Sequence, residues 1–173
     1  MDVLNYRDEY SEPEIKSQNA VQLIAFSIGE QTYGVEITTV REIRAWNGAT
    51  PLPNTRDYVR GVINLRGTIV PVIDLRRRFE LEAIEYTSTT VIIVLRIRAG
   101  EAEKTMGFIV DAVSDVYNVT PEQMKPAPEF GGQVRTDYVK GLATVDDKMV
   151  ILLDIDQLVG ADTAFGEADR TTH

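Results

Sequence analysis

The segment DYVRGVINLRGTIVPVIDL, residues 57–75, aligns without gaps on DYVKGLATVDDKMVILLDI, residues 137–155. Six of the 19 positions are identical, where about one is expected by chance. A second pair repeats as well: TYGVEITTVREI (32–43) matches TMGFIVDAVSDV (105–116). The offset is 80 residues for the first pair and 73 for the second, so the second copy carries seven more residues. The stretch NVTPEQMKPAPEFGGQVR, 118–135, is where they fit. A chain that uses one unit twice is confined to folds in which that unit can be laid down beside itself.

The unit is rich in strand signals. VQLIAFSI (21–28) and QTYGVEI (31–37) flank Gly29-Glu30, and GVINL (61–65) and TIVPVIDL (68–75) flank Arg66-Gly67. TTVIIVLRI (89–97) and KTMGFIVDAV (104–113) flank RAGEAE, while GLATV (141–145) and MVILLDI (149–155) flank DDK. Four hairpins of β-branched residues predict an all-β protein of two small closed barrels, each of about five strands. Helical pieces are expected to be single turns: TTVREI after residue 37, VTPEQM with Thr120 as N-cap and Pro121 at the first helical position, and DQLVG stopped by Gly160. Pro71 cannot donate to a ladder, which predicts an edge or a bulge at that point. Residues 1–19 and 161–173 have no sustained period and read as a mobile arm and a loose tail around an ordered 20–160.

Composition narrows the function. Eighteen basic against 27 acidic residues leave a net charge of −9, unsuited to a phosphate backbone, so nucleic acid is not an expected partner. There is no cysteine and the single histidine is His173, which removes the usual nucleophile, general base and metal ligands. Asp146, Asp147, Asp154 and Asp156 fit no compact calcium loop, and no metal or cofactor is expected. Asp74 and Asp154 coincide in the repeat at strand ends and read as turn caps. Tyr58 and Tyr138 also coincide and read as packing residues. No apolar run is long enough to span a membrane, and the acidic start lacks the pattern of a signal peptide.

Taken together, YGVEITTVREI, GVINLRGTIVPVIDLR, MKPAPEF and the second DYVKG resemble the CheW family of bacterial chemotaxis coupling proteins, over about Ala20 to Gly160. The family often carries a proline near the place of Arg56-Asp57. The resemblance implies two packed SH3-like five-stranded barrels and a non-catalytic adaptor. Such an adaptor joins the cytoplasmic signalling tip of chemoreceptors to the regulatory domain of the histidine kinase CheA. It also implies a cytoplasmic protein recruited to membrane-associated receptor arrays, without membrane insertion of its own. A related chemosensory pathway with an output other than motility is the alternative, and an SH3-like nucleic-acid module is a distant one.

The family places the Asn64, Leu65, Arg66, Gly67 hairpin at the receptor-binding surface. A hairpin-tip arginine is ordinarily solvated turn chemistry, with Gly67 supplying the positive φ. The second copy has Asp146-Asp147 at the same tip, however, so the fold does not demand arginine there. Val40, Glu42 and Ile43 resemble the family's groove-lining stretch, with Val62 and Leu65 as further walls. Val113 and Val116 match Val40 and Ile43 in the second copy, which equally allows both to be core. Arg56, Arg60, Arg66, Arg76, Arg77 and Arg78 make residues 56–78 locally basic and suggest a patch for acidic partners. No residue singles itself out for kinase binding.

Overall fold

The structure, a computed structural model, describes residues 20–99, 101–126 and 138–160. The arm, the tail and half of the 118–135 stretch, from residue 127 onward, lie outside the described residues. Among the described residues eleven strands follow one another: β1 (Val21–Ile28), β2 (Gln31–Glu36), β3 (Val40–Ala45), β4 (Val59–Leu65), β5 (Thr68–Asp74), β6 (Val91–Ala99), β7 (Ala102–Val110), β8 (Ala112–Val119), β9 (Met124–Lys125), β10 (Val139–Val145) and β11 (Lys148–Leu153). All four expected hairpins form, as β1–β2, β4–β5, β6–β7 and β10–β11.

The strands make two sheets, ordered β8-β1-β2-β11-β10-β9 and β3-β6-β7-β5-β4. Superposing the repeat offsets turns one order into the other, with β8 for β3, β1 for β6, β2 for β7, β11 for β5 and β10 for β4. Even the parallel pairings coincide: Val72 faces Gly107 in one sheet and Leu152 faces Gly34 in the other. The second module, β3–β7, is therefore inserted into the first, which β8–β11 complete. Each sheet curls until the chain leaving one edge strand bridges to the other edge. Thr50 pairs with Val62 in the inserted module, and Lys125 pairs with Leu142 in the outer one.

A glycine permits that closure in both copies. β4 is irregular between Val59 and Gly61, and β10 between Val139 and Gly141. A Cβ on Gly61, whose φ is 131°, would collide with the Thr50 carbonyl oxygen and the Pro51 backbone. A Cβ on Gly141 would collide with the Lys125 carbonyl oxygen. Only a residue without a side chain lets the crossing chain lie that close.

The apolar residues divide into three cores. Leu23, Val119, Ala143, Val145, Val150 and Leu152 fill the outer module, and Leu65, Val70, Val72, Ile92, Val94 and Ile109 fill the inserted one. A third and larger cluster lies between the two sheets, with Phe26, Ile28 and Val35 from one and Ile73, Ile93, Leu95, Met106 and Phe108 from the other. Along β6, Ile92 and Val94 thus point into the module while Ile93, Leu95 and Ile97 point to its neighbour. Burial on both faces is why VIIVLRI and VQLIAFSI read as nearly continuous apolar runs rather than alternating ones.

Three local expectations change. Residues 37–39 do form a single 3-10 turn, but Val40–Ala45 continues as a strand because it pairs with β6. Gly160 lies within the described helix Ile155–Gly160 rather than beyond it. Pro71 sits in an interior strand with no bulge of its own. It is tolerated because it faces Val62, whose N–H and C=O are both bonded to Thr50 at 2.9 and 2.8 Å. The nitrogen of Pro71 therefore points toward β7, where pairing begins only at Val72. The caps form as read: Asp74 Oδ1 accepts from the N–H groups of Arg76 and Arg77, and Asp154 Oδ1 from that of Gln157.

Chemical denaturation separates the two glycine roles. Gly61→Ala is expected to cost about 3 kcal/mol or more, through collision as well as backbone strain. Gly67→Ala, whose Cβ would meet nothing within 4 Å at φ 91°, is expected to cost only about 1 kcal/mol.

Candidate functional site

The β4–β5 hairpin turns on two residues, and both are left-handed: Arg66 at φ 51° and Gly67 at φ 91°. Asp146 at φ 51° and Asp147 at φ 65° make the same turn in the second copy. Positive φ at both central positions is the type I′ geometry that follows the twist of the strands. Aspartate visits this region at modest cost, whereas arginine does so less readily. The tip therefore holds an arginine against the local backbone preference, and not only beside a permissive glycine. Asn64 braces the turn by accepting the Gly67 N–H at 2.7 Å.

The Arg66 side chain is 75% exposed, and its Nη2 donates to Glu42 Oε1 at 2.6 Å. Glu42 lies on β3 and Arg66 follows β4, the two edges of the inserted sheet, so the pair spans the seam where the sheet closes. Arg44 also reaches Glu42, at 3.7 Å. One carboxylate thus serves two guanidinium groups and leaves this end of the module cationic. Beside it an open concavity of about 450 Å³ is lined by Arg44, Asn47, Thr50, Val62 and Asn64 among others.

The remaining candidates separate by burial. Val40 packs against the shared core, as does its repeat counterpart Val113, while Ile43 is 40% exposed and its counterpart Val116 is exposed as well. Leu65 is a core residue of the inserted module and offers little to a partner. Val62 is half-buried beside the concavity. Ile69, next to the tip on β5, is 59% exposed and was not singled out from the sequence. Its counterpart Met149 is also exposed, so an apolar residue that both copies keep on the outer face was the available signal. Glu42, Asn64, Arg66 and Gly67 are thus joined at the tip, and Val62 lines the adjoining concavity with Asn64. Ile43 follows Glu42 along β3 but points to the opposite face of the strand, while Val40 packs in the shared core and Leu65 in that of the inserted module.

The arginine-rich stretch is largely engaged within the molecule. Arg66 meets Glu42, Arg76 meets Asp111 at 3.0 Å, and Arg77 Nε lies 3.8 Å from Asp74. The Arg78 guanidinium stands 5.4 Å from the Tyr58 ring centre and 5.5 Å from that of Tyr138. The two repeat-equivalent tyrosines therefore meet across one cation, and Phe79 stacks on Tyr138 at 5.6 Å. The net charge of the segment therefore overstates the cationic surface it offers. Asp74, buried beneath these groups, accepts the Tyr86 hydroxyl at 2.6 Å. Burial, and then that hydrogen bond, raise the Tyr86 pKa well above the ordinary 10.0.

Two curled sheets share a core, and one end of the inserted module presents an exposed guanidinium. A CheW-like domain matches residues 22–162. The chain is 41% identical over 141 residues to a chemotaxis protein CheW of Klebsiella aerogenes, spanning 82% of each chain. It is 33% identical over 144 residues to a chemotaxis protein CheW of Bacillus subtilis, spanning 83% of this chain and 89% of that one. The crystal structure of the scaffolding protein TtCheW from Thermoanaerobacter tengcongensis superposes with a TM-score of 0.72 at 34% identity, covering 80% of this chain and 92% of that one. The chain belongs to the CheW family, the non-catalytic coupling and scaffolding proteins of chemotaxis.

Arg66→Asn keeps a residue that tolerates the left-handed turn and removes the guanidinium. Its unfolding free energy is expected to stay within about 1 kcal/mol of wild type, since the exposed ion pair contributes little. Tyr86→Phe is expected to cost about 1–2 kcal/mol at neutral pH, by removing a donor from a buried carboxylate. Because folding raises the Tyr86 pKa, its contribution is complete below the unfolded value of 10.0 and is lost as the pH rises beyond it. The stability difference between wild type and Tyr86→Phe, followed by denaturation against pH, should therefore shrink above pH 10.

Proposed function

We propose that this chain joins the cytoplasmic signalling tip of a chemoreceptor to the regulatory domain of the histidine kinase CheA, through the cationic end of its inserted module. The observation that carries this reading is Arg66 itself. It occupies a left-handed turn where the repeat places Asp146, and it is mostly exposed. A fold that closes equally well with aspartate has no structural need of arginine at that tip. A guanidinium on a rigid strand pair offers planar, multidentate donors to carboxylates or carbonyls on a receptor helix.

Ile69, exposed on β5 three residues beyond Arg66, offers an apolar contact near the cation, of the kind an amphipathic helix uses, and Ile43 is a further exposed apolar residue of the same module. Asn64 and Gly67 set the shape of the tip, Val62 lines the adjoining concavity, and Glu42 orients Arg66. Among the described residues no helix is long and apolar enough to cross a membrane. Cytoplasmic action at a receptor array is the setting this role requires.

The test mixes the protein with a receptor signalling fragment and the kinase, and follows complex formation and receptor-dependent autophosphorylation. Wild type should form the ternary complex and support receptor control. Arg66→Glu, shown to be folded, should lose receptor affinity by about tenfold or more, as a cation becomes an anion at a contact. Absence of a wild-type ternary complex would overturn the adaptor role. Full activity of Arg66→Glu would overturn only the part given to Arg66.

A further inference from the structure

The two modules are joined by the backbone at two places, residues 37–39 between β2 and β3, and Asp111 between β7 and β8. The crossings are built differently. At the first, Thr39 Oγ1 donates to Glu36 O at 2.7 Å, and Arg96 Nη2 donates to Thr38 O at 3.0 Å. Those bonds hold the turn, and no carboxylate takes part in either.

At the second crossing a single residue is held through every polar group it has. The Asp111 N–H donates to Ser27 O at 3.1 Å, and its carbonyl accepts from Thr89 Oγ1 at 3.1 Å. Its carboxylate accepts the Gly29 N–H at 2.8 Å, Arg76 Nη2 at 3.0 Å and Arg76 Nε at 3.4 Å. The remaining Arg76 nitrogen, Nη1, donates to Glu82 O at 2.8 Å. Ser27 and Gly29 belong to the outer module, and Arg76, Glu82 and Thr89 to the inserted one. The carboxylate thus grips the β1–β2 turn of one module and the one-turn helix Leu75–Arg78 of the other.

Position and chemistry give this contact its weight. The Arg76 side chain is 15% exposed, so water competes weakly for the pair. The hydrogen bond to Asp111 raises the Arg76 pKa although burial opposes it. Asp111 adjoins the start of β6, whereas a second polar link, Arg98 N–H to Asp156 Oδ1 at 2.9 Å, lies near the end of that strand. The apolar core between these points resists separation of the sheets, but hydrophobic contact is not directional. A two-pronged guanidinium–carboxylate pair is directional.

We propose that Asp111 and Arg76 are a positioning pair that fixes the angle between the two modules, so that a partner held at the β4–β5 tip alters the hold on a second partner elsewhere on the molecule. This rests on the coupling role proposed above. Partner binding can bias a distant site only if the body between them transmits a difference between states. A junction free to swivel would let each partner bind without informing the other.

The experiment uses the full chain carrying Asp111→Asn, which keeps an acceptor for Gly29 but removes the charge that Arg76 meets. Affinities for the receptor signalling fragment and for the kinase regulatory domain are measured separately, then receptor-dependent autophosphorylation with all three components. Each binary affinity should stay within about twofold of wild type, while the receptor's effect on kinase activity falls by about fivefold or more. Undiminished receptor control would overturn the proposal, and so would a matching loss of either binary affinity. Should Asp111→Asn fail to fold, Arg76→Lys, which keeps the charge without the fork, is read by the same outcomes. If wild type itself shows no receptor control, the coupling role fails instead. The pair is then judged on the isolated protein by residual dipolar couplings: an altered angle between the modules in Asp111→Asn supports it, and an unaltered angle overturns it.

Discussion

The molecule depends on burying both faces of β1 and β6 at once. One face of each strand fills its own module, and the other builds the core that the modules share. Phe26, Phe108, Ile93 and Leu95 are almost completely withdrawn from water in that shared layer. Each such side chain contributes about 1.5–3 kcal/mol by burial, so a module separated from its partner would expose a large apolar face. The insertion of one module into the other follows the same logic, since the chain crosses between them twice and the residues flanking the crossings, Val40, Val110 and Val113, lie in or against this layer. The polar groups at the edges, with Arg78 between Tyr58 and Tyr138 and Arg76 on Asp111, orient two surfaces that apolar contact already holds together.

Duplication explains what is constant, and departures from it mark what is specialised. Both copies keep a glycine where the crossing chain presses on the strand, at Gly61 and Gly141. In both, the tyrosine carbonyl accepts an aspartate N–H at 2.8 Å, Tyr58 from Asp74 and Tyr138 from Asp154. The hairpin tips keep the same left-handed geometry and change their chemistry, Arg66-Gly67 against Asp146-Asp147. The backbone preference at that position is for small polar residues. An arginine there weakens the turn slightly and gains an extended cation, which is the usual relation between a binding residue and its scaffold.

Much of this was legible in the sequence. The repeat, the four hairpins, the capping aspartates and the equivalence of Tyr58 and Tyr138 as packing residues came from residues that are neighbours in the chain or equivalent across the repeat. The strands β3 and β8 were harder, because each pairs with a strand distant in sequence, β6 and β1, and neither belongs to a hairpin. Val40 and Ile43 looked alike as apolar residues of one segment, and only strand pairing shows that one enters the shared core while the other faces out. Asp111 gave no sign at all. A lone aspartate acquires its meaning from Gly29 and Arg76, 82 and 35 residues away, and no local pattern carries such a contact.

The account makes the two modules one cooperative body through their shared core. Scanning calorimetry of the intact chain tests that directly. A single transition whose calorimetric enthalpy equals its van't Hoff enthalpy is the expected result for one folding unit. Two resolved transitions, or a calorimetric enthalpy well above the van't Hoff value, would contradict it, because the modules would then unfold separately and the layer between them would not bind them into one structure.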